Sequence, residues 1–341
     1  MAARERLDSH EQYTVAWIAA LPHERAAATA MLDERHEKPT AFEQSPQDTN
    51  AYTWGRIGNH NIVIASLPAG EYGTTIAATT ANTLRFAFPH IRLGLMVGIG
   101  AGVPQSKDVR LGDVVVSQPS ESSGGVVQYD LNKARQEGRF LTGHLAMPPE
   151  MLRNALAKLQ AEHDLEDSTV PSILEAMVQK FPKMDKQTAG DPRYTHPGVD
   201  NDRLFASWSP HLGGADCDNC TDTVPRDRRR STNPEIHYGV IASGNTLVKT
   251  AEERKDILER LPENLRSKCL CIEMEAAGLM NTFPCIVIRG ICDYADSHKN
   301  DKWQKYAAAT AAAFAKEFLG FVDAREVKRA PGISQVVEKG P

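Results

Sequence analysis

Short apolar runs alternate along the chain with longer segments that have helical character. The apolar runs predict strands at residues 13–21, 61–67, 93–98, 113–117, 237–242 and 284–290. Helices are predicted at residues 23–34, 74–86, 251–261, 272–281 and 302–319, and a glycine-rich turn at residues 98–102. Continuous apolar strands between helices are typical of a sheet that is buried on both faces. The pattern predicts an α/β fold, in which a single domain has a central mixed, largely parallel sheet flanked by helices on both faces.

One region departs from this alternation. Residues from about 165 to 234 are polar, rich in Pro, Asp and Arg, and only weakly periodic. A structureless segment of this length is unusual inside a compact domain, so we interpret it as an insertion with some helix and much loop. We predict a catalytic domain over residues 13–320, with flexible tails at residues 1–12 and 327–341.

Net charge, hydropathy and cysteine content argue against several classes of protein. The net charge of −5 over 341 residues gives no reason to expect binding to a nucleic acid polymer. The first residues lack the apolar core of a signal peptide and no run reaches membrane-spanning length, so we expect no membrane association. Six cysteines, most of them in apolar runs, fit a reduced cytoplasmic protein better than a disulfide scaffold.

Acidic residues follow several of the predicted strands. Asp293 comes after a strand and a short turn, where ligands bind in parallel sheets, and helix capping is the alternative. Glu24 follows the first strand, where a Glu can also complement the helix dipole. Glu273 and Glu275 stand at the start of a predicted helix. Two residues apart, they cannot share a helical face, so we expect one to face solvent or a salt bridge and the other to face the site.

The insertion contains half of a zinc-binding pattern. Cys217 and Cys220 have the spacing of a zinc half-site, and His196 and His211 upstream could complete a set of four ligands. The alternative is a pair of reduced, uncommitted loop thiols. A structural zinc is therefore one hypothesis for this segment.

The insertion also contains a basic run. Arg226 and Arg228 belong to this run, which continues through Arg230. Guanidinium groups suit phosphate oxygens, so Arg226 and Arg228 are candidates for a clamp on the 5′-phosphates of a nucleotide. The alternative is a solvated loop.

Seven segments, taken together, resemble the nucleoside phosphorylase/nucleosidase superfamily. They run in family order as AWIAALPHE (16–24), VGIGAGVP (97–104), LGDVVVS (111–117), VVQYD (126–130), IASGNTLVK (241–249), CIEMEAAGLM (271–280) and VIRGICDYAD (287–296). The resemblance is closest to methylthioadenosine/adenosylhomocysteine nucleosidases and to nucleosidase-type domains of fungal immune-receptor-like proteins. It covers residues 13–320, and the compact bacterial enzymes lack the insertion.

The resemblance implies catalytic roles by position. Glu24 corresponds to the carboxylate that activates the attacking water. Glu275 corresponds to the one that binds the ribose hydroxyls, with Met274 beside the sugar. Asp293 corresponds to the acid that protonates purine N7. Protonation at N7 neutralises the leaving base, and general acid help of this kind is worth about 10²–10⁴-fold.

Further substrate contacts are implied by the same segments. Leu247 and Val248 flank the base, at positions where bacterial nucleosidases have Phe and Ile. The ring that stacks on the base could instead come from Phe205, Trp208 or Tyr129. The remaining expected substrate-binding residues are Glu273, Ile99, Gly100 and Asp130.

Water is the expected nucleophile. Phosphorylases of the superfamily bind phosphate with an Arg and a Ser, whereas Met96 and Ile99 are apolar here, so a phosphate dianion would be costly to bind. We expect a homo-oligomeric purine nucleosidase that needs no cofactor and prefers adenosine-type nucleosides, with inosine and guanosine as further substrates. The alternatives are an ATP or AMP nucleosidase, a purine nucleoside phosphorylase and a non-catalytic nucleotide-sensing module.

Overall fold

A computed structural model of the chain describes residues 4–105, 107–121, 123–135, 138–188, 191–214 and 216–339. Its strands are β1 (Val15–Ala19), β2 (Glu34–His36), β3 (Tyr52–Ile57), β4 (His60–Ser66), β5 (Leu93–Gly102), β6 (Val114–Ser117), β7 (Val126–Gln128), β8 (Asn132–Arg135), β9 (Gly138–Leu141), β10 (Ile236–Ser243), β11 (Cys269–Glu273) and β12 (Cys285–Asp293). Its helices are α1 (Pro22–Met31), α2 (Thr74–Ala87), α3 (Glu150–His163), α4 (Val170–Lys180), α5 (Ala251–Arg260), α6 (Glu263–Arg266), α7 (Ala276–Leu279), α8 (Gln304–Leu319), α9 (Ala324–Arg329) and α10 (Ile333–Lys339).

The central sheet closes on itself at one end. Its strand order is β11-β10-β6-β12-β5-β1-β4-β3-β2, and β11 also pairs with β5, which makes a closed barrel of five strands. The pairs β1–β4, β1–β5, β5–β12, β6–β10 and β10–β11 are parallel, whereas β5–β11 and β6–β12 are antiparallel. The predicted mixed α/β sheet is therefore confirmed, and the barrel closure is a feature that the sequence did not predict.

Both faces of the sheet are buried. Val15 and Trp17 of β1 pack into one hydrophobic cluster, and the alternating Ala16 and Ile18 pack into another. Helices α1, α3, α4 and α8 cover the first cluster, and α2 and α7 cover the second. Because successive side chains of a strand point to opposite faces, this division explains why the strands are continuously apolar.

Two predicted elements are wrong. The glycine-rich segment at 98–102 is not a turn, because β5 continues through it to Gly102 and pairs there with β11 and β12. The predicted helix at 272–281 begins only at Ala276, because residues up to Glu273 belong to β11. Both errors lie where the barrel closes, so pairing between distant segments overrides the local preference.

The insertion and the C-terminal segment pack on the sheet. In the insertion, Val170 and Met177 of α4 are buried in the first cluster, and loops with short 3₁₀ turns follow α4. Val327 and Ile333, in the segment that we expected to be a flexible tail, are also buried. Residues 1–3 and 340–341 of the expected tails, and 189–190 and 215 of the insertion, lie outside the described residues.

The lengths and polarity of the helices bear on whether any of them could cross a membrane. Within the part of the chain that the structure describes, every helix is too short or too polar to do so.

Candidate active site

A cavity of about 1030 Å³ opens where β5, β11 and β12 end. The residues on its walls include every catalytic residue and most of the substrate-binding residues predicted from the sequence. They are Glu24, Ile99, Gly100, Leu247, Val248, Glu273, Met274, Glu275 and Asp293. Part of the insertion, including Gln187, Asp191 and His211, forms another wall.

Glu24 lies in the first turn of α1 and is held by backbone N–H groups. Its Oε2 accepts hydrogen bonds from Ala20 N at 2.7 Å and Leu21 N at 2.9 Å, and its Oε1 accepts one from Ile99 N at 2.8 Å. Gly98 makes this approach feasible, because a Cβ there would lie 2.5 Å from Glu24 Oε1. The carboxylate is therefore buried and fixed between β5 and α1.

Glu273 and Glu275 both contact Arg289, a fully buried residue of β12. Arg289 Nη2 donates to Glu273 Oε2 and, at 3.4 Å, to Glu275 Oε2. Backbone N–H groups of Ala276 and Gly73 donate to Glu273 and to Glu275, respectively. Of the two expected positions, solvent or a salt bridge, Glu273 has the salt bridge, and both glutamates line the cavity. They can do so because this stretch is the end of a strand and a turn rather than a helix.

The surroundings of Glu275 raise its pKa. Burial raises the pKa of Glu275 to about 7, Arg289 opposes this rise, and Glu273 and Glu24 add to it. Burial alone would lower the pKa of Arg289, but Glu273, Glu275 and Glu24 together raise it further above its ordinary value. The guanidinium therefore remains charged and offsets part of the negative charge of these carboxylates.

Asp293 lies at the end of β12 and is buried. Its Oδ1 accepts a hydrogen bond from Ala295 N at 2.9 Å. Its Oδ2 contacts the Lys299 ammonium and the Cys292 thiol, the latter at 3.1 Å. A purine that hydrogen-bonds to Asp293 must therefore share this carboxyl group with Lys299.

The wall beside these carboxylates is mainly apolar. Met274 is half-buried, Val248 is buried and Leu247 is exposed, and all three line the cavity together with Ile99. Tyr72, in the loop before α2, adds an aromatic ring to this lining. An apolar wall of this kind fits the flat face of a nucleobase.

The three aromatic residues considered for stacking lie elsewhere. Phe205 stacks on His298, Trp208 is exposed, and Tyr129 is buried with its ring beneath Gly244. None of the three is among the residues that line the cavity. Tyr72 is therefore the aromatic residue that the sequence reasoning missed.

Asp130 does not line the cavity either. Its Oδ2 accepts hydrogen bonds from Asn245 N at 2.8 Å and Asn245 Nδ2 at 3.1 Å. Asn245 Oδ1 in turn accepts a hydrogen bond from Thr74 N at 2.9 Å. Asp130 therefore holds the loop that carries Leu247 and Val248. Because Asp130 lies outside the cavity lining, it does not make the direct contact with substrate that the sequence predicted.

The expected phosphate clamp also lies outside this cavity. Arg226 and Arg228 face a separate cavity of about 680 Å³. Arg226 donates to Tyr294 Oη and Asp202 Oδ1, both at 2.8 Å, and Arg229 donates to both carboxylate oxygens of Asp113. The bonds to Tyr294 and Asp113 attach the insertion to the fold. Arg228 is exposed and faces the separate cavity, so neither Arg226 nor Arg228 lies where it could bind a 5′-phosphate in the cavity beside Asp293.

The predicted metal ligands separate into two groups. Cys217 and Cys220 lie beside His211, with sulfur–Nδ1 distances of 3.9 and 3.5 Å. His196 packs instead against aromatic rings around the start of α8. His298, from the loop after Asp293, takes its place in the cluster.

Arg289, Lys299 and His298 were also missed by the sequence reasoning. Arg289 interrupts an apolar strand, and a charge in such a run indicates a buried ion pair. Lys299 and His298 follow Asp293 closely, but their partners are visible only in three dimensions.

Sequence comparison finds a relative that matches most of the chain and another that matches a quarter of it. No protein-family model matches the chain. A nucleotide-binding leucine-rich repeat (NLR)-like protein of Hyaloscypha variabilis is 44% identical over 93% of the chain, which spans 30% of that relative. The ATP nucleosidase Cap17 of Escherichia coli is 33% identical over 25% of the chain, which matches 17% of that protein.

Solved structures resemble nearly the whole chain. Futalosine hydrolase of Helicobacter pylori has 18% identity and a TM-score of 0.56, with 92% of this chain and 99% of that chain covered. The 5′-methylthioadenosine/S-adenosylhomocysteine nucleosidase of the same organism has 17% identity and a TM-score of 0.56, with 90% and 98% covered. The chain therefore shares the fold of these two enzymes.

Proposed function

We propose that the cavity hydrolyses the N-glycosidic bond of purine nucleosides, with adenosine-type nucleosides preferred. The observation that carries this proposal is the convergence of three buried carboxylates, Glu24, Glu275 and Asp293, beside an apolar wall. The names of the relatives support the same class of reaction, since they include nucleosidases for ATP and for methylthioadenosine.

In the proposed reaction, Asp293 and Glu24 act on opposite sides of the bond. Asp293 acts in its protonated form: it gives its proton to purine N7 while the bond between C1′ and N9 breaks, and the carboxylate that this leaves pairs with the Lys299 ammonium. The oxygen of a water molecule bonds to C1′, and Glu24 takes its proton. The products are the free base and ribose. Charged Glu275 accepts hydrogen bonds from the ribose hydroxyls and stabilises the positive charge that develops on the sugar.

The surroundings of Glu24 favour water over phosphate. A carboxylate oxygen accepts two hydrogen bonds, so Glu24 Oε1, which Ile99 N already contacts, can also bind a water molecule. A phosphate dianion here would face several carboxylates. The nearest buried cation, Arg289, is already paired with two of them.

Product analysis tests the proposal. The protein is incubated with adenosine, inosine, guanosine, AMP and ATP, with and without inorganic phosphate, and the products are separated by chromatography. We expect adenine and free ribose from adenosine, at a rate that phosphate does not change. Ribose 1-phosphate as the product, or no base released from any substrate, would contradict the proposal.

Nucleotide hydrolysis is a second candidate function. Lys249 and Lys302 are exposed on the cavity lining, where they could contact the phosphates of a nucleotide. If they do, the double variant Lys249→Ala/Lys302→Ala should lower kcat/KM for ATP by about tenfold or more and leave kcat/KM for adenosine unchanged. Lys255→Ala, on the exposed face of α5, is the matched control. An equal loss for both substrates would reject nucleotide binding by these lysines.

A further inference from the structure

Four side chains of the types that bind metals lie where the insertion packs against the loop that follows Asp293: Cys217, Cys220, His211 and His298. Ligand atoms of His211, Cys220 and His298 all lie within 4.8 Å of one another. Cys217 Sγ lies 3.9 Å, and Cys220 Sγ 3.5 Å, from His211 Nδ1. Tetrahedral zinc with ordinary bond lengths places sulfur and nitrogen ligands about 3.6 Å apart. The distances from the two sulfurs to His211 Nδ1 are therefore close to those that zinc requires.

The two histidines are oriented by contacts on their outer nitrogens. His211 Nε2 lies 3.3 Å from the carbonyl oxygen of Gly214, a contact that leaves Nδ1 free to bind a metal. His298 Nδ1 lies 3.7 Å from Asp296 Oδ1, and His298 Nε2 is buried without a hydrogen-bond partner among the described residues. Metal-bound histidines typically have such a carbonyl or carboxylate behind the ligating ring.

The cluster is also buried in a region that has little other core. Cys217, Cys220 and His298 are 4%, 5% and 7% exposed. The separate hydrophobic cluster around them contains only Phe205 and the two cysteines among the described residues, and the Phe205 ring stacks on His298 at 3.9 Å. Two thiols and two imidazoles are a poor core by themselves, but they are a complete ligand set for zinc.

We propose that Cys217, Cys220, His211 and His298 bind one structural Zn²⁺. Three of the ligands come from the insertion, and His298 comes from the loop that follows Asp293. The neighbour of His298, Lys299, contacts Asp293, and His211 lines the cavity. The metal would therefore fasten the insertion to the loop that carries the proposed acid, and its four protein ligands leave no position open for a reacting water.

Metal content tests this site independently of enzymatic activity. The full chain, purified without chelator, is analysed for metals by inductively coupled plasma mass spectrometry, and we expect about one zinc per chain. Cys217→Ser/Cys220→Ser and His298→Gln should lose most of the zinc. His196→Gln, which changes the histidine outside the cluster, should keep it. Circular dichroism shows whether each variant is folded. If a variant does not fold, the zinc content of the wild-type chain still tests the proposal.

The absorption spectrum of Co²⁺-substituted protein reports which ligands bind the metal. Protein freed of metal and reloaded with Co²⁺ should show the visible bands of a tetrahedral site and a thiolate charge-transfer band. Wild-type protein that contains no zinc and takes up none from excess Zn²⁺ would overturn the proposal. A Cys217–Cys220 disulfide in freshly purified protein, or equal zinc loss in His196→Gln and His298→Gln, would also overturn it.

Discussion

Glu275 links the electrostatics of the cavity to the proposed chemistry. Its pKa is raised to about 7, first by burial. Its charged form accepts stronger hydrogen bonds from the ribose hydroxyls and stabilises the positive charge on the sugar, so we expect kcat/KM for adenosine to rise as the pH increases through about 7. A pH profile measures this. Glu275→Gln should lose activity and also lose this inflection, and an unchanged inflection in the variant would assign it to another group.

The same pKa shift should appear in stability. The ordinary pKa of a Glu is 4.5, and that of Glu275 in the folded protein is about 7. The protonated side chain therefore stabilises the folded state fully below pH 4.5, and this stabilisation is lost as the pH rises through 7. Denaturant unfolding at about pH 5 and about pH 8 should therefore show a smaller pH dependence in Glu275→Gln than in the wild type. An identical dependence in both proteins would contradict the shift.

Gly98 is the residue whose missing side chain makes room for Glu24. A Cβ at this position would lie 2.5 Å from both Glu24 Oε1 and Arg289 Nη1. We expect Gly98→Ala to cost about 1–3 kcal/mol of stability and to lower turnover by about 10²-fold, because the carboxylate must move. Gly320→Ala, at the end of α8, is the control. Wild-type turnover in Gly98→Ala would show that the position of Glu24 is unimportant.

At the scale of elements, Arg289 joins the ends of three strands. Arg289 belongs to β12, it is paired with Glu273 at the end of β11, and its Nη1 lies 3.4 Å from the Ile99 carbonyl oxygen of β5. Arg289→Met leaves two buried carboxylates without their cation and should lower the free energy of unfolding by about 3–5 kcal/mol. Arg289→Lys keeps the charge and should lose less. A loss in Arg289→Met no larger than in Arg289→Lys would contradict this role.

The elements that the sequence predicted well are those with one dominant local pattern. Strand β4 and helices α2 and α8 lie within two residues of their predicted ends. Residues 98–102 were mistaken for a turn because glycine disfavours strands, yet a Cβ at Gly100 would lie 2.5 Å from Cys271 Sγ on the paired β11. Close packing across the barrel requires glycine there, and a local pattern cannot reveal it.

At the scale of the whole molecule, the sequence located the carboxylates but not their partners. Asp293 and Glu24 were predictable because each follows a strand whose end faces the ligand side of a parallel sheet. Asp130 and Arg226 were assigned to substrate, although they bond to Asn245 and Asp202. The sign of a charge can be read from the sequence, whereas its partner depends on how distant segments pack.

The assembly of the molecule remains a prediction. We expect a homo-oligomer, and sedimentation velocity on the purified chain should give a mass that is a multiple of the monomer mass. A single species with the monomer mass at micromolar concentration would contradict that expectation.

The most direct test of the proposed chemistry is the turnover of Asp293→Asn on adenosine. Asn has the shape of Asp but cannot donate a carboxylic proton to N7, so we expect kcat to fall by about 10²–10⁴-fold while circular dichroism shows an intact fold. Asp108→Asn, which changes an exposed carboxylate outside the cavity, should keep wild-type turnover. A folded Asp293→Asn protein that releases adenine at the wild-type rate would contradict the assignment of Asp293 as the acid.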